Sequence, residues 1–273
     1  MGYTSVSLKK DKCVGCTICV RRCPTQAIRV RDGKAHISTD HCTDCGMCMH
    51  LCTHGAKVSE TRELSEILLD SYALKVALVP PSFFCQFDNT RDVNRILTAL
   101  KMIGFDEVFC VPLGAEEITR RTAEFIREHP PSNGPWISSA CPVTVRLIAA
   151  RFPTLIGNIL PIISPMEMAA RMAREYFEEK GHNPWDIGIY FISPCPAKST
   201  EVHHPLTVVR SAVTDTISMQ QIYMKVRPFI GKITDEEIGR YMAGGAPGLS
   251  WARIGGESDC LALPDSLSGS CLV

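Results

Sequence analysis

Eight cysteines near the start of the chain carry its strongest chemical signal. Cys13, Cys16, Cys19 and Cys23 recur as Cys42, Cys45, Cys48 and Cys52, each displaced by 29 positions, and Asp11 recurs as Asp40. The segment is therefore an internal repeat in which each half reads CxxCxxCxxxC. Two residues between successive cysteines let one tight loop wrap three thiolates around a face of an iron–sulfur cubane, while the fourth cysteine opens a helix that runs away from the loop. Zinc sites seldom use this spacing; a zinc knuckle or a set of free buried thiols is the alternative reading. Pro24 follows Cys23, where a fixed φ suits the first helical turn, and Thr53 takes that place in the second half.

The segment resembles the two-cluster bacterial ferredoxins across its whole length. In that pattern the fourth cysteine of each half ligates the other cluster. The resemblance implies one [4Fe–4S] cluster on Cys13, Cys16, Cys19 and Cys52, and a second on Cys42, Cys45, Cys48 and Cys23. Short β runs around Ala27–Val30 and Ala56–Ser59 are expected to pair across the module with the clusters between them. Such a module moves single electrons.

Composition bounds the rest. A chain of 273 residues has room for one ordinary domain and a small extra module. Lys plus Arg and Asp plus Glu both total 29, so no overall field draws in nucleic acid or an anionic membrane. Residues 1–60 hold nine Lys/Arg against five Asp/Glu, a basic segment that reads as a solvated face. No stretch approaches the roughly 20 apolar residues that span a bilayer, and MGYTSVSLKKDKC has no apolar signal-peptide core. A soluble, cytoplasmic protein is expected. The 14 cysteines are clustered rather than spread, as thiolates holding metal are and a disulfide scaffold is not.

Beyond the repeat, a polar helical linker is expected over residues 61–74, with Leu64, Ile67, Leu68 and Leu69 on one apolar side. Short β-rich runs then alternate with amphipathic helices. The runs are KVALVP (75–80), EVFCVP (107–112), WISSA (136–140) and IGIYFISP (187–194). The helices are DVNRILTALKMIG (92–104), EEITRRTAEFIREH (116–129), TVRLIAARF (144–152) and SPMEMAARMAREYFEEKG (164–181). The alternation argues for an α/β unit with a largely parallel sheet, where function gathers at the carboxyl ends of strands. Cys141-Pro142 and Cys195-Pro196 follow two of these runs, in loops whose amides can support an anionic cluster.

At these residues the chain resembles the catalytic domain of [FeFe] hydrogenases, the large-subunit family that carries the H-cluster. ISSACPVTVRLIAARFP (137–153) with PIISPMEMAARMAREYF (161–177) is similar to the family's first cluster motif and the helix after it. ISPCPAKSTE (192–201) is similar to the second motif, and GFDEVFCVPLGAEE (104–117) to the run preceding the first. The likeness extends from about residue 8 to about residue 256. It implies a ferredoxin-like module (1–60) followed by a truncated hydrogenase-like α/β domain (75–256) and a flexible, cysteine-containing tail (257–273). It also implies that Cys141 and Cys195 are cluster ligands, and that Lys198 and Glu201 stand just behind them.

The departures bear on function. Ala140 occupies the position where the family often has a proton-shuttling cysteine, and YMAGGAPGLSWARIGGE (241–257) approaches a third motif, CPGGC, that the sequence lacks. A complete H-cluster is therefore not expected. Cys260 and Cys271 with Cys141 and Cys195 would make a four-cysteine set for a third [4Fe–4S] cluster; the bland rival is that the tail cysteines are incidental. Cys85 and Cys110 read as packing, His203 and His204 as a surface loop, and Met166, Met168 and Met172 as core. GGAPG lacks the strand and helix of a nucleotide loop. The reading is an iron–sulfur electron-transfer subunit, not expected to be catalytic by itself, inside a multisubunit hydrogenase or related redox complex, for which the resemblance suggests the electron-bifurcating kind, with ferredoxin or flavoprotein partners. Its alternatives are a short hydrogenase with a modified cluster, and a hydrogenase-derived redox sensor or cluster-assembly factor.

Overall fold

A computed structural model describes residues 3–87, 92–131, 134–261 and 263, and the backbone of 271–272. The cysteine repeat folds as β1 (Val6–Leu8), α1 (Ile18–Arg21), β2 (Ile28–Arg31), β3 (Lys34–Ile37), α2 (Met47–His50) and β4 (Lys57–Ser59). Asp32 and Gly33 both take positive φ, 50° and 70°, the geometry of a two-residue hairpin turn. They close β2 onto β3, with Arg31 opposite Lys34, while β4 pairs antiparallel with β1. The expected pairing of the two β runs with each other is thus corrected. Asp-Gly gives the first run a partner four residues away, and the second is taken by the strand that precedes the repeat.

The chain continues through α3 (Leu64–Leu68), β5 (Leu74–Val79), α4 (Pro81–Phe84), α5 (Val93–Met102), β6 (Glu107–Cys110), α6 (Val111–Glu128), β7 (Trp136–Ile137) and α7 (Pro142–Arg151). Then follow α8 (Pro165–Glu179), β8 (Ile187–Ser193), α9 (Pro196–His203), β9 (Asp215–Ser218), α10 (Met219–Ile230), α11 (Ala246–Ser250), α12 (Gly256–Cys260) and β10 (Cys271–Leu272). The contacts divide this path into two compact units. One joins the cysteine repeat to residues 141–157 and 195–210; the other comprises residues 62–140, 158–194 and 211 onward.

In the second unit four parallel strands lie in the order β6-β5-β8-β9. All seven residues of β8 are buried, as expected of a strand covered on both faces. Ala77, Val79, Leu97, Leu100, Tyr190, Ile192 and Ile217 belong to the core. The segment expected as a linker belongs to this core through Leu64 and Ile67. Leu69, expected on the same side, is 86% exposed: α3 ends at Leu68, and only positions 64, 67 and 68 share a helical face. Met166 and Met168 are buried, and Met172 is half-buried. Cys110 is buried with its thiol pushed up to about 12 by desolvation, and Cys85 is exposed.

WISSA is a strand over its first two residues alone and lies outside the four-stranded sheet. Only Trp136 and Ile137 are extended, paired with the backbone of β10. Ser138 donates to the carboxylate of the buried Glu257 at 2.7 and 2.9 Å and accepts from the Ala140 amide, and Ser139 donates to the Ile162 carbonyl at 2.5 Å. Serine side chains that satisfy nearby backbone in this way compete with a ladder. The Val111-Pro112 end of EVFCVP opens α6 instead, where a proline without an N–H is at no disadvantage. The tail expected from residue 257 begins inside α12; its residues 262, 264–270 and 273 lie outside the described residues. Among the described residues no helix is long and apolar enough to cross a membrane.

Asp92 caps α5, accepting from the amides of Asn94 (3.0 Å) and Arg95 (3.3 Å). Asp92→Ala is expected to cost about 1 kcal/mol. Trp136, Trp185 and Trp251 all belong to the second unit, so tryptophan fluorescence during urea unfolding reads this loss.

Candidate metal centre

The two ligand loops share one backbone device. Gly15 and Thr17 in the first half, and Asp44 and Gly46 at the same repeat positions in the second, have φ of 68°, 65°, 54° and 72°. Left-handed residues turn successive amides inward, and such a concavity favours an anion. A Cβ on Gly15 would stand 2.5 Å from the Gly33 carbonyl oxygen, so only glycine lets the first loop close over the hairpin turn.

Two cavities result. The first, of about 380 Å3 with its open side included, is lined by Cys13, Cys16, Cys19 and Cys52 together with Ala35, Ala56 and Lys57. The second, of about 340 Å3, is lined by Cys42, Cys45, Cys48 and Cys23 together with Ile28, Asp44 and Gly46. In each, three cysteines come from one half of the repeat and the fourth from the other. Cys13 belongs to the small core of this unit with Ile28, Ala35 and Ala56, and Cys19, Cys23, Cys48 and Cys52 pack against it.

Amides are aimed at sulfur throughout. Ala27 and Ala56 donate to Cys23 and Cys52 Sγ, both at 3.3 Å, Ala35 to Cys13 at 3.5 Å and Asp44 to Cys42 at 3.4 Å. Such hydrogen bonds stabilise thiolate and tune an iron–sulfur cluster. Desolvation pushes the Cys13 thiol up, but the amides of Ala35 and Gly15 with Lys57 and Lys34 outweigh it and the net direction is down. Burial carries Cys19 and Cys42 upward, and Cys48 to about 12. Four convergent cysteines, inward amides and, in the first cavity, the buried Lys57 Nζ with no hydrogen-bond partner make each site fit an anionic cubane.

Asp44, between Cys42 and Cys45, is 1% exposed. It accepts from Thr4 Oγ1, from the Val6 amide at 3.3 Å, from Thr200 Oγ1 at 2.8 Å and from Arg146 Nη1 at 3.1 Å. The Ser5 and Thr200 hydroxyls bond at 2.7 Å. These ties anchor α7 and α9 to the repeat. Sequence reasoning missed Asp44, Arg146 and Thr200, and it also missed Lys57. The available signal was a broken repeat: Asp44 stands where the first half has Gly15, and Lys57 where it has Ile28.

Cys141 and Cys195 occupy the N-cap positions of α7 and α9. The structure brings them together: Cys195 is pushed up by burial, with a further upward effect from Cys141, opposed by the Lys198 and Ala197 amides and the Lys198 charge. Lys198 Nζ donates to Glu201 Oε2 at 2.7 Å, so the two residues expected behind the ligands form an ion pair with each other. Cys260 belongs to the other unit, where its Sγ lies 3.2 Å from Ser250 Oγ and 3.6 Å from the Pro247 carbonyl; of Cys271 only the backbone is described. His203 is the last residue of α9 rather than part of a loop, and it and His204 lie against the Tyr3 ring.

Residues 5–53 match the family described as "4Fe-4S dicluster domain", and residues 74–226 match "Iron only hydrogenase large subunit, C-terminal domain". Iron hydrogenase 1 of Clostridium pasteurianum is 26% identical over 56% of this chain and 29% of its own length. NADP-reducing hydrogenase subunit HndD of Solidesulfovibrio fructosivorans is 23% identical over 74% of this chain and 40% of its own. The chain thus spans less than half the length of these relatives. A variant of the [FeFe]-hydrogenase HydA1 from Chlamydomonas reinhardtii superposes with a TM-score of 0.53 at 20% identity, over 67% of this chain and 52% of that one, which is a likeness of fold. With more than half of its residues inside the second match, the chain belongs to the iron-only hydrogenase large-subunit family and carries a 4Fe-4S dicluster ferredoxin domain ahead of the family domain.

Proposed function

We propose that the chain is an electron-transfer subunit of a multisubunit, electron-bifurcating hydrogenase or related redox complex, not catalytic by itself. Cys13, Cys16, Cys19 and Cys52 hold one [4Fe–4S] cluster, and Cys42, Cys45, Cys48 and Cys23 a second. Cys141 and Cys195, completed by Cys260 and Cys271, hold a third in place of an H-cluster. The observation that carries this reading lies within the first unit. A Cβ on Gly46, between Cys45 and Cys48, would stand 3.7 Å from the ring of Pro196, the residue after Cys195. The second cavity therefore abuts the loop of Cys195, as a relay requires.

When bound, a [4Fe–4S] cluster takes up and releases single electrons. The chain's residues set the conditions. Inward amides and Lys198 offset anionic charge at the thiolates, Glu201 orients the Lys198 ammonium, and Asp44 fixes α9 against the module. Ala140, beside Cys141, has no ionisable group and so cannot pass a proton where many family members have a cysteine. The HndD relative is named as a subunit of an NADP-reducing hydrogenase, which supports membership of a multisubunit complex; ferredoxin or flavoprotein subunits are the partners proposed there. Reduced thiolate ligands suit the cytoplasm.

Iron quantitation with EPR on anaerobically prepared full-length protein tests the reading. About twelve irons per chain, at four per cluster, falling to about eight in Cys260→Ser and in Cys271→Ser, is the expected result. About eight irons in wild type and variants alike overturns the third cluster, and hydrogen turnover by the chain alone overturns the non-catalytic assignment.

A further inference from the structure

Among the buried positions at which the two halves of the cysteine repeat differ, one exchanges an apolar side chain for a cation beside the cysteines. The displacement of 29 positions that relates the cysteines also relates Ile28 to Lys57. Ile28, 2% exposed, lines the cavity of Cys42, Cys45, Cys48 and Cys23; Lys57, 5% exposed, lines that of Cys13, Cys16, Cys19 and Cys52. A methyl-bearing wall in one site is thus a cation in the other. The Lys57 ammonium is shielded from solvent and makes no hydrogen bond to protein. An isolated buried ammonium is costly enough that it is paired or neutralised, so a negative group belongs beside it. Desolvation outweighs the field of Lys57 at Cys13, Cys19 and Cys48 alike, and that field reaches both cavities; the asymmetry lies in position, since Lys57 lines only the cavity of Cys13, Cys16, Cys19 and Cys52.

We propose that Lys57 makes the cluster on Cys13, Cys16, Cys19 and Cys52 the electron sink of the module by placing a buried positive charge against it, where its repeat partner offers Ile28. The inference rests on the two-cluster reading given above. A fixed cation stabilises the more negative, reduced form and so raises the potential of the nearer cluster. One electron leaves the reduced cluster at Cys42, Cys45, Cys48 and Cys23, which is oxidised, and reduces the other; no proton or bond is exchanged. An electron delivered to the module therefore settles on the Cys13 side, the side away from Gly46 and the loop of Cys195.

EPR-monitored redox titration of the anaerobic full-length protein, with iron quantitation on the same samples, tests this. Lys57→Ile, which copies the other half of the repeat, is expected to lower one midpoint potential by at least the equivalent of a tenfold shift in the partition of the electron, about 59 mV for a one-electron couple. Lys57→Arg keeps the charge and is expected to leave the separation as in wild type, while Ile28→Lys raises the other midpoint. Lys57→Met removes the charge while keeping a long side chain, and serves where Lys57→Ile does not assemble. Unchanged midpoints in Lys57→Ile or Lys57→Met at full iron content overturn the role of Lys57 and leave the two-cluster reading standing. Wild-type protein lacking about eight irons, two clusters' worth, overturns both.

Discussion

Asp44→Ala is expected to destabilise the cluster-bearing unit by about 3–5 kcal/mol, the cost of removing one partner from a buried ion pair. The Asp44 side chain is fully buried beside the Arg146 guanidinium, itself 16% exposed. Its loss removes at once the carboxylate that this cation, the Thr4 and Thr200 hydroxyls and the Val6 amide share, leaving only Cys42 Sγ to Thr4, Ser5 Oγ to Thr200 and Thr4 Oγ1 to the Val6 amide. Asp44 also holds a left-handed φ of 54°, a conformation that costs a non-glycine residue roughly 1–2 kcal/mol. Alanine keeps that strain without the hydrogen bonds that offset it. Asp44→Asn retains one acceptor oxygen and should lose less. Urea unfolding followed by the visible absorption of the bound clusters reports this unit, and a midpoint equal to wild type in Asp44→Ala would show that the ties at Asp44 contribute little.

The positions of chemistry were legible because ligand chemistry is local. Three thiolates on one loop need CxxCxxC wherever the loop lies, and Cys141-Pro142 and Cys195-Pro196 announce helix starts by the fixed φ of proline, so both prolines open α7 and α9 as expected. The residues that bind these pieces together are not local. Asp44 meets Thr200 across 156 positions of sequence and Arg146 across 102, and an aspartate in a cysteine loop reads as an ordinary polar residue until its partners are known. Lys57 was hidden differently: its type suggests surface, and only alignment of the two halves places it opposite the core-facing Ile28.

Fold class was readable from alternation, strand pairing less so. The run IGIYFIS is apolar at almost every position and becomes the fully buried β8. The first β run was given the wrong partner although Asp32-Gly33, a strong hairpin signal, follows it directly. WISSA is strand only over Trp136 and Ile137, and stops short for a subtler reason. Its serines look compatible with a strand, but Glu257 and the Ile162 carbonyl, more than twenty positions distant, take their hydroxyls.

Asp70→Ala is expected to cost the second unit about 2–3 kcal/mol, within the range for hydrogen bonds to a charged group, and to change its response to acid. Asp70 receives a two-pronged contact from Arg62, at 2.6 and 2.9 Å, and the Tyr190 hydroxyl at 2.5 Å. Tyr190 is fully buried, so Asp70→Ala takes the carboxylate acceptor from its hydroxyl, whereas Arg62 keeps Asp215 at 3.9 Å. The Arg62 hydrogen bonds hold the Asp70 carboxyl below its usual range despite desolvation, and a depressed folded pKa stabilises above the unfolded value, near 3.9 for aspartate, with that stability lost as pH falls through the folded value. Burial and the Asp70 carboxylate raise Tyr190, so its contribution is complete below the unfolded tyrosine value, near 10, and is lost as pH rises beyond it. Urea midpoints from tryptophan fluorescence should therefore run on a plateau between roughly pH 4 and pH 10, with Asp70→Ala lying below wild type across it and converging with wild type in acid. Tyr190→Phe, which leaves the Arg62–Asp70 pair intact, should lose only about 1 kcal/mol and keep the acid limb. Equal losses in the two variants would mean that the tyrosine hydroxyl, not the carboxylate, organises this corner of the sheet.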